Sequence, residues 1–197
     1  MPAGWERLAH VTLGSSNANI TTGSITAKKH LYMVGYIIKT GSGTEVTMRY
    51  NNDTGNNYGR SRSGNGASDG SADTGQSRID LVGGESTPTY FTMHVINEAD
   101  EEKIGICEMV RNSASGAGTA PSRTENVNKW YNASAQITEI DLHSISSTFA
   151  AGSTFTVWGA DDAALVYPNL SNGTIFEESD TGKHQMFDGS QTWNEME

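Results

Sequence analysis

The triplet Asp-Thr-Gly occurs at 53–55, 73–75 and 180–182, and a pair of such triplets is one route to hydrolysis by two carboxylates that share a proton. That chemistry needs rigid apolar strands leading into each triplet, because only close like charges split the two pKa values. Here Asp53 follows Asn51-Asn52, Asp73 follows Gly70-Ser71-Ala72 and Asp180 follows Glu177-Glu178-Ser179. In these polar settings Asp bonds its own backbone and Gly accepts positive φ, so all three read as turns. His10, His30, His94, His143 and His184 are scattered, without His-x-His or H-E-x-x-H spacing; they read as packing residues in strands or interfaces, with a His94–His143 meeting across a sandwich left open. Glu98, Asp100, Glu101 and Glu102, and again Asp161 and Asp162, offer hard oxygens that suit calcium, but the EF-hand pattern is absent and solvated turn charge is the expected role. Cys107 is the single cysteine, set among Ile104, Ile106, Met109 and Val110. It reads as a buried, inert thiol and leaves no intrachain disulfide framework. Trp5, Trp130, Trp158 and Trp193 would stack on sugars if exposed, but their strand settings favour core or subunit contact. No catalytic, cofactor-binding or metal-ligating residue is assigned, and an enzyme is not expected.

The elements that carry these residues are strands. Hydrophobic residues make up 35% and charged residues 18% of 197, with Gly, Ser, Thr and Asn filling much of the rest; this suits short strands and many turns better than surface helices. Thirteen Lys and Arg against twenty-three Asp and Glu give a net charge of −10, which repels nucleic acid on average. The first residues lack the apolar stretch of a signal peptide and no run approaches a membrane span, so membrane insertion is not expected.

Strand patterns fall at 5–13, 20–25, 29–39, 44–51, 77–82, 89–97, 103–111, 126–131, 135–143 and 152–159. In 89–97 both parities are largely apolar, which predicts a central strand covered on both faces. Imperfect alternation in 135–143 suggests a bulge. Residues 51–76 are rich in Gly, Ser, Asn and Asp and read as a long surface loop suited to meeting a partner. The whole is expected to be all-β: an antiparallel β-sandwich over 1–162, then a connector and a small C-terminal β-hairpin or meander over 163–197. A meander of that size is marginal alone and should dock on the sandwich or on a neighbouring subunit.

Several stretches resemble uncharacterised virion structural proteins of tailed phages and archaeal viruses. They are Trp5-Glu6-Arg7-Leu8, the turn from Tyr50-Asn51-Asn52-Asp53 to Tyr58, Lys129-Trp130-Tyr131-Asn132 with Ala135-Gln136-Ile137-Thr138, the block 149–160, and the closing segments 172–183, 186–189 and Thr192-Trp193. The resemblance implies a jelly-roll-like subunit located in the virion, assembled in multiple copies as a capsid decoration, vertex or tail component. Its implied partners are copies of itself, as a trimer or pentamer, and other virion proteins; it carries over no catalytic residue. The alternative is a receptor- or carbohydrate-binding module of a viral tail or fibre, with a host-surface glycan as partner.

Overall fold

Alternation builds the molecule. The structure, a computed structural model, describes residues 4–41, 45–68, 70, 72–82, 87–112, 116–162, 171–177, 181–189 and 193–196. Its strands are β1 (Glu6–Thr12), β2 (Asn19–Thr21), β3 (His30–Ile37), β4 (Glu45–Tyr50), β5 (Tyr58–Gly64), β6 (Asp73–Gln76), β7 (Ile79–Val82), β8 (Thr89–Ile96), β9 (Lys103–Arg111), β10 (Ser122–Trp130), β11 (Ile140–Ile145) and β12 (Thr154–Ala160), followed by β13 (Ile175–Glu177), β14 (His184–Phe187) and β15 (Trp193–Glu195). They form an eight-stranded sheet in the order β1-β12-β3-β8-β9-β10-β5-β6, a four-stranded sheet in the order β2-β11-β4-β7, and a separate sheet β13-β14-β15. Every strand pairing in the three sheets is antiparallel.

The two larger sheets make a β-sandwich, as expected. From the large sheet Leu31, Met33, Ile37, Phe91, Met93, Val95, Cys107, Met109, Phe155 and Val157 point inward; Ile20, Val46, Met48, Tyr50, Ile79, Leu81, Ile140 and Leu142 meet them from the small one. Gly35 has a specific part in this core. It lies in register between Phe155 and Phe91, and because it has no side chain the two rings approach to 6.1 Å between centroids. A Cβ there would sit 2.1 Å from the Phe91 ring.

Residues 51–76 differ from the expected loop. After a tight turn the chain runs back as β5, which pairs with β10 along its whole length, and β6 closes the edge. The polar composition arises because only Tyr58 and Arg60 of this hairpin reach inward. Tyr58 stacks on Trp130 at 6.4 Å, and Arg60 donates to the Asp73 carboxylate (2.7 Å) and to the Asp80 carbonyl. The turn itself is built by Asn51 and Asn52, both at positive φ (50° and 55°), and by Asp53, whose carboxylate accepts from Gly55 N–H (2.8 Å), Asn57 Nδ2 (2.9 Å) and Trp130 Nε1 (2.7 Å). The first Asp-Thr-Gly triplet is therefore a turn tied to a buried tryptophan.

The 135–143 stretch also departs from expectation. Only 140–145 is a strand, and 132–139 is the crossing from the large sheet to the small one. Asn51 Oδ1 accepts from Thr138 and Glu139 N–H, and buried Asn97 exchanges bonds with Ile137 N–H (2.6 Å) and the Ile137 carbonyl (3.2 Å). Two asparagines thus supply the partners that a strand ladder would otherwise give. The C-terminal meander is present as β13–β15; the expected connector, 163–170, lies outside the described residues. Among the described residues no helix is long and apolar enough to cross a membrane.

Two stability measurements follow. Gly35→Ala forces the Phe91 ring aside and is expected to cost about 1–3 kcal/mol in urea unfolding, the usual range for overpacking. Burial pushes the Asp53 carboxyl up, but the bonds from Trp130, Asn57 and Gly55 outweigh it and hold the group below its ordinary 3.8. The unfolded state then takes the proton first as pH falls, so the stabilisation is present above about pH 4 and lost as pH falls through the folded-state value. Unfolding curves of wild type and Asp53→Asn should accordingly converge as pH falls below about 4.

Candidate functional site

With one parity of β3, β8, β9, β10 and β12 spent on the core, the other parity faces water. The cross-strand register lines up Arg7, Trp158, Tyr32, His94, Ile106, Val127 and Ser61 in one row across seven strands. A second row beside it holds His30, Ile96, Ile104 and Lys129, and on the other side Tyr36, Tyr90 and Val110 form a third cluster. Ile104 (57%), Ile106 (53%) and Val127 (53%) are each more than half exposed. Strand β8 is therefore central yet open on its Tyr90, Thr92, His94 and Ile96 face, against the expectation that both its faces are covered. The apolar residues on that face belong to a surface, not to a second core layer.

Trp5, just ahead of β1, folds over Tyr32 and His94 in the middle of the first row. Its ring stands 5.7 Å from His94 and 6.3 Å, edge-on, from Tyr32; Tyr32 meets His94 at 6.1 Å and His30 lies 6.3 Å from His94. Next to this aromatic cluster an open groove of about 650 Å³ runs over β8, β9 and β10 to β5 and β6, floored by Ile96, Ile104, Ile106 and Val127. Lys129 and Thr74 stand at its sides.

The cluster is held from one side by ion pairs. Lys28 Nζ bridges Glu6 and Asp161 at 2.9 Å each, Lys29 Nζ bridges Glu98 (3.1 Å) and Asp162 (2.7 Å), and His30 Nε2 meets Asp162 at 3.0 Å. Of the acidic residues considered for calcium, Glu98, Asp161 and Asp162 are thus paired with lysines that join β1, β3, β8 and β12. Lys129 pairs with Glu102 at 2.7 Å in the same way. Among the described residues no three His, Cys, Asp or Glu side chains are placed to hold a metal ion.

The remaining candidates fall elsewhere. His94 and His143 do not meet: His94 is on the outer face of the large sheet, and His143 is on the small sheet with Nδ1 2.8 Å from Asn19 Oδ1. Cys107 points into the core, where burial pushes its thiol up to about 12. Asp73 lies on β6 against Arg60, apart from the Asp53 turn; Asp180 and the Trp193 side chain lie outside the described residues. Trp130 is buried, Trp158 half-buried and Trp5 exposed. Sequence reading missed Ile104, Ile106 and Val127 as surface residues. The available signal was that Cys107 and Met109 already supply the buried parity of β9, so the isoleucines of the other parity had no core left to enter.

The side chains gathered on this face offer apolar contact, aromatic stacking and a pair of imidazoles. Comparison with known protein families, curated proteins and solved structures finds no match to this chain.

Burial, and then the neighbouring His30, lower the His94 pKa from 6.5. Its proton is bound more weakly in the folded than in the unfolded chain, so it costs stability as pH falls below 6.5. An NMR titration should give His94 a midpoint below 6.5, and His30→Gln should move that midpoint part of the way back up.

Proposed function

We propose that the chain is a non-enzymatic virion structural protein that assembles in multiple copies on a capsid or tail, as a decoration or vertex component, and that the outer face of its large sheet is the contact between copies. The observation that carries this reading is the continuous row of exposed Tyr32, Ile106 and Val127 with Trp5 folded over Tyr32. Scattered exposed apolar residues are ordinary; a contiguous patch on a regular sheet marks a place where another surface sits.

The strand order supports a jelly-roll-like reading. The chain passes back and forth between β1-β12-β3-β8 of the large sheet and β2-β11-β4-β7 of the small one, as in the double Greek key of that fold. Strands β9-β10 and β5-β6 then extend the first layer, and the exposed isoleucines are on that extension. Jelly rolls occur in viral capsids and in lectins, and the fold alone does not choose between them. The exposed aliphatic groove favours protein contact, since sugars present few surfaces that bury isoleucine side chains. The net charge of −10 suits a subunit that meets protein or solvent and no nucleic acid.

A second reading, a receptor- or carbohydrate-binding module, draws on one specific observation: Trp5 is 38% exposed beside Tyr32 and His94, an arrangement on which a host-surface glycan would stack. Glycan-array binding that is abolished by Trp5→Ala would favour it.

Sedimentation velocity tests the main reading. Wild type should sediment as a closed oligomer, of which a trimer or pentamer is the expected form. Ile106→Glu, at an exposed site that the fold tolerates, should weaken association about 30-fold or more, the effect of losing a residue central to an interface. A wild-type chain that stays monomeric at high concentration overturns the proposal.

A further inference from the structure

The C-terminal meander exposes an apolar surface of its own. Ile175 and Met186 are direct partners across β13 and β14, and they are 56% and 38% exposed. A three-stranded sheet of this size cannot bury enough to be stable without docking. The outer face of the large sheet has the converse defect, an apolar groove with nothing seated in it: Ile106 and Val127 are each 53% exposed in the same chain. Both surfaces are open at once, so the meander of one copy does not cover that copy's own groove.

The two are tethered close together. Strand β12 ends at Ala160, and two residues later the Asp162 carboxylate is bound to His30 Nε2 at 3.0 Å, on the rim of the aromatic cluster. Eight residues, 163–170, separate Asp162 from Ser171; whatever path they take, they span at most about 30 Å. Each meander therefore begins within about 30 Å of Asp162 at the rim of the sheet face, within reach of a copy packed against that face.

We propose that the groove over β8, β9 and β10 receives the C-terminal meander of a second copy, with Ile175 and Met186 against Ile104, Ile106 and Val127. This rests on the reading that the outer face is the contact between copies, and it specifies what occupies it. The contact is heterologous, groove to meander, so each copy uses one surface to give and another to receive. Such contacts close into rings when the rotation between copies allows it. The tether raises the effective concentration of each meander at its neighbour once the ring has formed.

Crosslinking in the full chain decides it. Ile106→Cys and Ile175→Cys are made as separate variants and mixed in equal amounts; both positions are exposed, and thermal unfolding checks that each variant folds. Cys107 is buried and unreactive and is left in place. A short bis-maleimide should link position 106 of one chain to position 175 of another as the main product, identified by mass spectrometry of the joined peptides. The second variant pair, Ile104→Cys with Met186→Cys, should behave alike. Products joined only 106 to 106 would mean that sheet faces pair with each other, which overturns the meander as occupant while keeping the outer face as the contact. A double variant that links within one chain, with no product from the mixed single variants, overturns the exchange between copies. No product from either pair, although wild type sediments as an oligomer, places the contact elsewhere and overturns both the occupant and the outer face. A monomeric wild type overturns the assembly reading itself.

Discussion

The structure depends on one mismatch: an eight-stranded sheet is covered on one face by a sheet of four strands. Side chains along a strand alternate, so each strand of the large sheet commits one parity to the core and leaves the other outside. The inward parity is filled by Leu31, Met33, Phe91, Met93, Cys107, Phe155 and Val157, and no room remains for the apolar residues of the opposite parity. A one-residue slip would exchange the two sets. Gly35, which lets the Phe91 and Phe155 rings meet, fixes the register from within, since a shifted strand would set a side chain where the ring lies.

Polar groups secure one end of the sandwich. Asp53 binds the Trp130 indole and the turn that starts β5, while Asn51 and Asn97 hold the crossing between sheets. At the same end, where Asn97 also donates to the Lys28 and Lys29 carbonyls, these two lysines draw Glu6, Glu98, Asp161 and Asp162 together. Each of these pairs is exposed and contributes little stability alone. Their combined effect is positional: they join the start of β1 to the end of β12, and so set Trp5 over Tyr32 and His94 at the margin of the open groove. Glu98, Asp161 and Asp162, three of the residues that invite a calcium reading, thus help to hold the aromatic cluster in place.

Much of this was legible from residues alone. Most of the strands, their antiparallel sandwich arrangement and the small final meander follow from alternation and from turn residues. Two errors share one cause, which is that sequence reports composition and not the number of layers. Tyr90 to Ile96 carries apolar residues on both parities, which ordinarily means cover on both faces; here the second face is open. Residues 58–64 are polar on both parities and read as loop, although they form a full strand against β10 at the edge of the sheet, where only Tyr58 and Arg60 need to face inward. The Asp53 turn was identified as turn chemistry, but its bond to Trp130 joins residues 77 positions apart, and no local pattern carries that information.

In the proposed assembly a neighbouring copy covers the outer face of the large sheet. An electron-microscopy map of the purified chain at high concentration measures this directly. The expected result is a closed ring in which density from a neighbouring copy lies over Ile104, Ile106 and Val127. Dispersed single copies, or rings in which that face is open to solvent in every subunit, would contradict it.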